Sequence, residues 1–437
     1  MKIYRRGVKL DLSIAVVVMF LLLLHMTGMM YKRELHQLFN EEVNISKRGF
    51  RRFRSSEIVD KEDETSKVPS EVAEGPAGTK TDHIPAYNMF HQRITKDAMY
   101  EPSAFYIFNL LDELATGEIS NVSLFPGGSQ IKFKIHFKNG NVAIAKPKRH
   151  DRGRYWAYDQ SEPFWLDNER HNAEIASFHL DRILNFRRVP PCVGRIVNFR
   201  KEILPNTKDE EILSTLYINN GNFCFIGNCV PWFCNDNNPI CSEGDFMEMS
   251  LCVLVYPSVE HPFQDRPFPW SQGIVESEIW KERNICTEML VDPEITMGRF
   301  FLDLMDLAVF DHLIQNYDRH HFTIVVRFNV ESFVVIVDNG KGFGNPWKDD
   351  TSFLAPIYQC CRIRNSTYQT LLDLSTDGSK LGNLLRLSLS QDPLAPVITE
   401  IFFATLERRL GQVLREIDKC IENYGNGEVL VDKVVVI

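Results

Sequence analysis

Alternating apolar and polar positions predict a β-hairpin in the first half of the chain. Between residues 130 and 138 every second side chain is apolar, which is the pattern of a strand with one buried face. The pair Asn139-Gly140 follows, and this dipeptide is a strong signal for a tight hairpin turn. Residues 141–145 then predict the returning strand. It ends at Lys146-Pro147, where the proline keeps the lysine in an extended conformation.

Further along the chain, apolar spacing predicts two helices and a short strand. Residues 168–184 carry apolar side chains at helical intervals. Residues 301–315 are apolar on almost every side, which predicts a buried helix. Residues 333–337 predict a short buried strand that ends in Asp338-Asn339-Gly340, and helices are predicted from there to about residue 424. This mixture of strands and helices, in which no internal repeat is evident, is that of an α+β fold.

A long apolar segment near the N-terminus predicts a membrane anchor. Residues 12–30 are apolar apart from four positions, and a helix of that length spans roughly 28 Å, close to the thickness of the hydrocarbon core. Four basic residues precede the segment, and such a flank stays in the cytoplasm. We therefore expect a cytoplasmic tail at 1–11 and a luminal position for everything after residue 30. A cleaved signal peptide is the alternative.

Composition limits the partners and divides the remaining chain. The net charge is −9, so nothing indicates binding to nucleic acid. Residues 31–84 are rich in charged residues and poor in periodic apolar positions, which predicts a disordered luminal stem. From residue 85 the apolar residues return. We expect an N-terminal segment and N-terminal lobe at 85–215 and a C-terminal lobe at 216–437.

Cysteines and glycosylation motifs both indicate an oxidising compartment. The chain has ten cysteines, of which four cluster between 224 and 241 at spacings that are not those of a zinc site. Disulfides are therefore favoured over zinc, and the adjacent Cys360 and Cys361 are expected to reach different partners. Three N-x-S/T motifs, usable only in the secretory pathway, begin at Asn44, Asn121 and Asn365.

The polar motifs occur in the order of the working parts of a protein kinase. Lys146 is expected to neutralise the α- and β-phosphates of ATP, and Glu174 on the next helix is expected to pair with it. Asp318, after the buried helix, is expected to orient the acceptor hydroxyl and take its proton. Asp338, after the buried strand, is expected to hold a divalent cation. Each residue alone has a plain structural interpretation, and only their joint order predicts a kinase.

Three departures from ordinary kinases affect these assignments. In place of a Gly-rich loop stands Gly127-Gly128-Ser129-Gln130, in which Gln130 is assigned to ATP binding. There is no H-R-D motif before the catalytic loop. Thr323 occupies the position, five residues after Asp318, where an ordinary kinase places a metal-binding Asn. Our hypothesis is that Glu174 serves the metal together with Asp338.

Longer motifs add a resemblance to a known family. The chain resembles the secretory-pathway kinases that include the Golgi casein kinase, its pseudokinase relative and the glycosaminoglycan xylosylkinase. The resemblance runs from about residue 85 to near the C-terminus. The motifs that carry it lie at residues 169–174, 178–184, 224–229, 318–321, 338–340 and 359–361. Glu174 stands where the pseudokinase has Gln, which favours an active enzyme.

The resemblance has implications for fold, cofactors and cysteines. It implies an atypical two-lobed kinase-like fold with a disulfide-rich C-terminal lobe, a luminal site in the Golgi, ATP with Mn2+ or Mg2+, and pairing with itself or with family members. It also implies four disulfides, Cys224–Cys241, Cys229–Cys234, Cys286–Cys360 and Cys361–Cys420. Cys192 and Cys252 have no place in that pattern, so the sequence leaves their state open.

The acceptor is the remaining question. Stretches such as 343–346 and 354–358 resemble the xylosylkinase, whereas 187–191 and 361–364 resemble the casein kinase. The xylosylkinase-like stretches lie near the expected metal side, so we favour phosphate transfer to the 2-hydroxyl of xylose in a proteoglycan linkage glycan. A protein Ser/Thr kinase acting on acidic motifs is the first alternative. A non-catalytic activator of a related kinase is the second.

Overall fold

The computed structural model describes residues 84–152, 170–255, 263–269, 283–296, 298–376 and 380–432. The predicted tail, anchor and stem lie outside these ranges, apart from residue 84. Within the described ranges, no helix has both the length and the apolarity needed to cross a bilayer.

The helices and strands of the described ranges are numbered in chain order. The α-helices are α1 (Ala86–Gln92), α2 (Tyr106–Thr116), α3 (Arg170–Ile183), α4 (Glu210–Ser214), α5 (Ile285–Val291), α6 (Pro293–Thr296), α7 (Phe300–Ile314), α8 (Ala355–Cys360), α9 (Asn365–Leu374), α10 (Leu381–Leu389), α11 (Ile401–Tyr424) and α12 (Asn426–Val429). The β-strands are β1 (Ile119–Leu124), β2 (Phe133–Phe137), β3 (Val142–Pro147), β4 (Cys192–Asn198), β5 (Tyr217–Asn219), β6 (Asn222–Phe225), β7 (Ile240–Cys241), β8 (Phe246–Val253), β9 (Phe263–Pro267), β10 (His321–Val325), β11 (Val334–Val335), β12 (Ile363–Arg364) and β13 (Leu430–Val431).

A five-stranded antiparallel sheet forms the N-terminal lobe, in the order β1-β2-β3-β8-β4. The predicted hairpin is its β2–β3 pair, and the apolar side chains of β2 are buried in alternation. Gly140 has a φ of +90°, a backbone conformation that glycine adopts without strain. The fifth strand, β8, comes after the small β5-β6-β7 sheet, so this lobe extends past the boundary predicted at residue 215. The sequence could not show this, because β8 pairs only with distant strands.

Helix α3 is the buried helix of this lobe. Its side chains from Arg170 to Asp181 are all buried, because α3 contacts β3, β4 and β8 of the sheet and helix α10 as well. The structure therefore agrees with the helix predicted at 168–184 within the described residues. A helix held on several sides places its polar side chains in fixed positions, which matters for Glu174.

The C-terminal lobe is organised around α7. All fifteen residues of this helix are buried, as predicted from its apolar sequence, and it contacts α8 and α11. Helix α7 ends at Ile314. The next residue, Gln315, has a left-handed φ of +54°, which directs the chain away from the helix axis. The polar turn that carries Asp318 follows, and β10 and β11 return the chain to Asp338. The catalytic and metal loops thus leave the core at neighbouring points.

Four charged residues join the two lobes, and we call them the anchor cluster: the buried Arg188, Asp303 and Asp306 and the partly buried Arg364. Arg188 Nη2 lies 3.0 Å from Asp303 Oδ1 and 2.8 Å from Asp306 Oδ2. Arg364 contacts the same two carboxylates at 2.6 and 3.2 Å. The backbone carbonyl of Arg188 also accepts a hydrogen bond from the N–H of Ile336, at 3.0 Å. The segment after α3 is thereby fixed to α7 and to the strand that leads to Asp338.

Five disulfides are present. Four are the pairs that the resemblance implied: Cys224–Cys241, Cys229–Cys234, Cys286–Cys360 and Cys361–Cys420. The fifth joins Cys192 to Cys252, which the sequence left open. These two residues are directly opposite each other on β4 and β8. The fifth disulfide therefore staples the edge strand of the N-terminal sheet to its neighbour.

Candidate active site

Lys146 is the cation at the centre of the cleft. It stands at the end of β3, where it pairs with Ser250 of β8, and only 9% of its surface is exposed. Its Nζ contacts Glu174 Oε1 and lies 2.5 Å from Asp338 Oδ1. Three of the residues assigned from sequence order, on β3, on α3 and after β11, are therefore in direct contact.

Glu174 connects α3 to the loop of Asp338. Besides Lys146, its Oε1 accepts a hydrogen bond from the backbone N–H of Asn339, at 2.9 Å. The side chain is buried, because α3 packs on the sheet along most of its length. Any displacement of α3 would break both contacts, so the position of this helix determines whether the site is assembled.

Asp338 sits in a strained backbone conformation. Its φ is +58°, which L-residues other than glycine rarely adopt. Its carbonyl oxygen accepts a hydrogen bond from Asn316 Nδ2 at 3.2 Å, and Asn316 Oδ1 accepts one from the N–H of Asp318 at 3.2 Å. Asn316 therefore holds the metal loop and the catalytic loop together. Strain of this kind is typical of functional sites.

Arg319, in the loop of Asp318, connects the loop of Asp338 to helix α7. Its guanidinium is buried and bonds both carboxylate oxygens of Asp311 on α7, at 2.9 and 3.0 Å. It also donates to Asn339 Oδ1 at 2.7 Å and to the carbonyl of Val337. A planar guanidinium can serve several acceptors in fixed directions. One residue therefore fixes the geometry of the metal loop relative to the buried helix.

Asp318, the assigned catalytic carboxylate, is more open than Lys146 and Glu174. About a third of its side chain is exposed, and its Oδ2 lies 3.3 Å from Lys341 Nζ. His320 Nδ1 is 2.8 Å from the backbone carbonyl of Asp318. The carboxylate thus faces the cleft, where an acceptor hydroxyl could reach it.

The wall of the cleft contains further cations. The lining residues are Gly128, Ser129, Gln130, Lys132, Lys146, Arg170, Asp318, Asp338, Gly340 and Lys341. Gln130, which the sequence assigned to ATP binding, therefore lies in this wall. Three basic residues of the lining, Lys132, Arg170 and Lys341, were not predicted as site residues from the sequence. Two signals in the sequence could have identified two of them. Lys132 lies between buried positions directly before β2, and Lys341 directly follows Asp338-Asn339-Gly340.

Electrostatics explains the charge states at the centre. The nearby Lys146 ammonium holds the pKa of the Asp338 carboxyl well below its usual range, against the effect of burial. Burial lowers the pKa of Lys146, but the carboxylates of Asp338 and Glu174 outweigh it, so the net pKa is raised. Burial lowers the pKa of Lys132. Lys146 and Asp338 therefore remain charged across the physiological range.

The donor set fits a divalent cation in part. Glu174 and Asp338 provide carboxylate oxygens that meet at one ammonium, and hard cations such as Mn2+ and Mg2+ prefer oxygen ligands. Within the described ranges, no group of three or more His, Cys, Asp or Glu residues gathers in the way a self-contained metal site requires. Phosphate oxygens of a nucleotide would have to complete the coordination. Thr323 donates instead to Asp265 Oδ1, at 2.6 Å.

Comparison with known proteins identifies the family. A model of this family, described as Golgi casein kinase, C-terminal, Fam20, matches residues 85–429. The chain belongs to the Fam20 family. Its Fam20 relatives include the human extracellular serine/threonine protein kinase FAM20C, which is 36% identical over 365 residues, covering 82% of this chain and 61% of the relative. The zebrafish glycosaminoglycan xylosylkinase is 38% identical over 326 residues, covering 74% of this chain and 77% of the relative.

Solved Fam20 structures show the same fold. The crystal structure of the Golgi casein kinase with Mn/ADP bound superposes with a TM-score of 0.73 at 34% identity, covering 79% of this chain and 83% of that one. The family recognised from the motifs and the predicted α+β kinase-like fold are thereby confirmed. The chain spans 61% of the length of human FAM20C, so its activity is argued separately below.

Proposed function

We propose that this Fam20 chain is an ATP-dependent kinase that transfers the γ-phosphate to the 2-hydroxyl of xylose in the glycosaminoglycan-protein linkage glycan. The observation that carries the kinase assignment is the meeting of Glu174 and Asp338 at Lys146, beside Asp318 in the same cleft. The choice of acceptor rests on the likeness to the zebrafish xylosylkinase and on the xylosylkinase-like stretches.

The proposed reaction is an in-line phosphoryl transfer. The acceptor hydroxyl oxygen bonds to the γ-phosphorus while the bond from that phosphorus to the β–γ bridging oxygen breaks, and ADP leaves. Asp318 orients the hydroxyl and receives its proton, because it is the carboxylate of the cleft whose Oδ2 is held by a single lysine at 3.3 Å. Lys341 keeps this carboxylate directed into the cleft.

The other charged residues hold ATP. Lys146 is placed to bind the α- and β-phosphates, and Gln130, Lys132 and Arg170 line the same wall. Glu174 and Asp338 would hold Mn2+ or Mg2+, which neutralises phosphate charge when bound. Because Lys146 already contacts both carboxylates, the phosphate-binding and metal-binding groups are preorganised next to each other.

A transfer assay tests the proposal. The full chain is incubated with Mn2+ and labelled ATP, and with a Gal-Xyl disaccharide or the linkage tetrasaccharide beside casein. Asp338→Ala serves as the inactive control. Phosphate on the glycan alone is the expected result, with none in the Asp338→Ala sample. A glycan that stays unlabelled while casein is phosphorylated overturns the acceptor assignment.

The protein-kinase alternative is favoured by a specific observation, the 36% identity to human FAM20C. In that case the basic residues that line the cleft would face an acidic peptide. The alternative of a non-catalytic activator predicts no ATP turnover with any acceptor. It does not explain why the complete set of charged groups is held together at the cleft.

We also propose a location and modifications for the chain. Residues 12–30 would anchor it as a single-pass type II protein of the Golgi membrane, with release by cleavage as a second form, and pairing with itself or a relative is expected from the family. Asn121 and Asn365 are both exposed, so either can carry a glycan, and Asn44 lies outside the described residues. Extraction with alkaline carbonate tests the anchor, and loss of the deglycosylation shift in Asn→Gln variants tests each glycan.

A further inference from the structure

A second, larger cavity lies away from the catalytic cleft. We call it the back cavity; it is enclosed by α2, the C-terminal half of α3, the start of β4 and the turn after α10. Its volume is about 590 Å³, within the usual range for small-molecule sites. It shares no lining residue with the catalytic cleft. The kinase reaction proposed above does not use it.

A buried histidine with an unused nitrogen lines this cavity. His179 is 6% exposed, and its Nδ1 lies 2.6 Å from Ser388 Oγ. Its Nε2 has no hydrogen-bond partner among the described residues. Burial lowers the pKa of this ring to about 3, so the imidazole is neutral and can accept or donate one hydrogen bond. Because His179 lines the cavity, this nitrogen is available to a molecule bound there.

An arginine without an acidic partner stands beside it. Arg182, one turn further along α3, has its guanidinium 5.0 Å from the centre of the Phe108 ring and 5.7 Å from that of Phe178. It makes no ion pair with any residue in the described ranges. Arg187, also in the lining, bonds only the oxygens of Tyr100 and Asn185. Among the described residues Arg182 therefore has no paired carboxylate, whereas Arg187 is attracted by the buried carboxyl of Asp181.

The acidic residues of the cavity do not compensate for these cations. Asp392 is buried, and its two oxygens accept hydrogen bonds from the N–H groups of Gly194 and Leu394, at 2.9 and 2.8 Å. Asp112 is exposed to solvent on α2, where water screens its charge. The remaining wall is largely apolar and includes Leu111 and Ala115.

We propose that the back cavity is a ligand site for an amphipathic monoanion, a molecule with an apolar ring system and one carboxylate or sulfonate group. The apolar body would occupy the space beside Leu111 and Ala115. The anionic group would pair with Arg182, and His179 Nε2 would provide a second hydrogen bond. A charge-assisted hydrogen bond to a guanidinium in a low-dielectric site is strong enough to determine which ligand binds.

Calorimetry with two matched probes tests this site. Naphthalene-2-sulfonate carries the charge, whereas naphthalene-2-sulfonamide has the same shape without it. Each is titrated into the solubilised full chain with Mn2+ and ADP present at saturating concentration, so that the catalytic cleft is occupied. We expect one sulfonate to bind per chain, with an association constant about tenfold or more above that of the sulfonamide.

Two variants and one control locate the binding. Arg182→Gln is expected to remove the preference for the sulfonate and leave sulfonamide binding unchanged. Ala115→Trp fills the cavity and is expected to abolish binding of both probes, which keeps the test decisive if Arg182→Gln folds poorly. Arg200→Gln, outside the cavity in an exposed ion pair with Asp245, should bind as the native chain does. Absence of sulfonate binding, equal affinity for the two probes, an affinity that neither variant changes, or competition with ADP each overturns the proposal.

Discussion

The catalytic group, made of Lys146, Glu174 and Asp338, and the anchor cluster are both networks of ion pairs, but they differ in exposure and in charge balance. In the catalytic group, the two carboxylates of Glu174 and Asp338 share the single ammonium of Lys146, and 49% of the Asp338 side chain is exposed. In the anchor cluster, Arg188 and Arg364 face two aspartates whose side chains are fully buried, and the neighbouring Arg299 pairs with one of them, Asp303. The anchor carboxylates are closed to solvent and matched by arginines, whereas Asp338 shares one ammonium with Glu174 and is half exposed, so a further cation can reach it. Two carboxylates that share one ammonium at the edge of a cleft therefore distinguish the site from the structural joint.

The sharpest test of this difference is Asp318→Asn, because Asp318 belongs to the cleft but supports no other element. We expect kcat to fall by about 10²–10⁴, the usual contribution of a positioned proton acceptor. Thermal unfolding should be almost unchanged, since the side chain is a third exposed and its ion-pair partners within the described ranges are Lys341 and His320. A variant that unfolds markedly earlier would show that Asp318 has a structural role, and a variant with native kcat would remove it from the mechanism.

The converse test is Asp303→Ala in the anchor cluster. This change leaves Arg188, Arg364 and the nearby Arg299 without one of their carboxylates. Removing one partner of a buried pair costs about 3–5 kcal/mol of unfolding free energy. Denaturant unfolding measures this loss, with Lys96→Gln, which breaks an exposed ion pair, as a control whose stability should stay close to that of the native chain. Equal stability of the two variants would contradict the structural role of the cluster.

Local sequence patterns predicted the elements that carry the site. The hairpin before Lys146 follows from alternation and from Asn139-Gly140, and α7 follows from its apolar run. These are signals between close neighbours, as are the turns that place Asp318 and Asp338. The assignment of Glu174 needed the order of the motifs as well, because a single glutamate on a helix carries little information.

Contacts over long sequence distances could not be predicted in the same way. Arg188 is 118 residues from Asp306, and the charges of both are common on protein surfaces. The strand β8 and the disulfide between Cys192 and Cys252 depend on a pairing that only the folded sheet defines. Lys341 acquires its role from a neighbour that is close in space, Asp318. The contacts that hold the fold together were therefore harder to predict from the sequence than the residues of the active site.

A pH-dependent contribution is expected next to the anchor cluster, at Asp181. Burial raises the pKa of this carboxyl to about 7, although N–H groups of Arg188 and Val189 donate to it. The pKa of an Asp in the unfolded chain is about 3.9, so the folded state binds the proton more tightly than the unfolded state does. The stability that this proton contributes is therefore lost as the pH rises from about 4 to about 7. The loss is up to about 4 kcal/mol, with no slope from this group outside that window.

The variant Asp181→Asn isolates this contribution. Its unfolding free energy, measured from pH 4 to 8, should lack the decline that the native chain shows. Burial lowers the pKa of His179 to about 3 and that of His312 to about 4, so both reduce stability as pH falls through the same range. They are present in both proteins, so the difference between the two curves reports Asp181. Parallel curves would show that its pKa is not raised.

The smallest expected effect, Glu174→Gln, tests the charge argument most directly. The amide keeps an oxygen that can accept from Asn339 N–H, so α3 should remain attached to the metal loop. The variant loses only the surplus negative charge, leaving Asp338 alone with Lys146. If Glu174 is a metal ligand, the Mn2+ concentration for half-maximal activity should rise about tenfold or more at saturating ATP. Glu331→Gln, in an exposed ion pair with Lys96, is the matched control and should need no extra metal. An unchanged metal requirement in Glu174→Gln, with reduced kcat, would mean that Glu174 acts only by holding Lys146. The second carboxylate at Lys146 would then help to position the nucleotide and would not bind the metal cation.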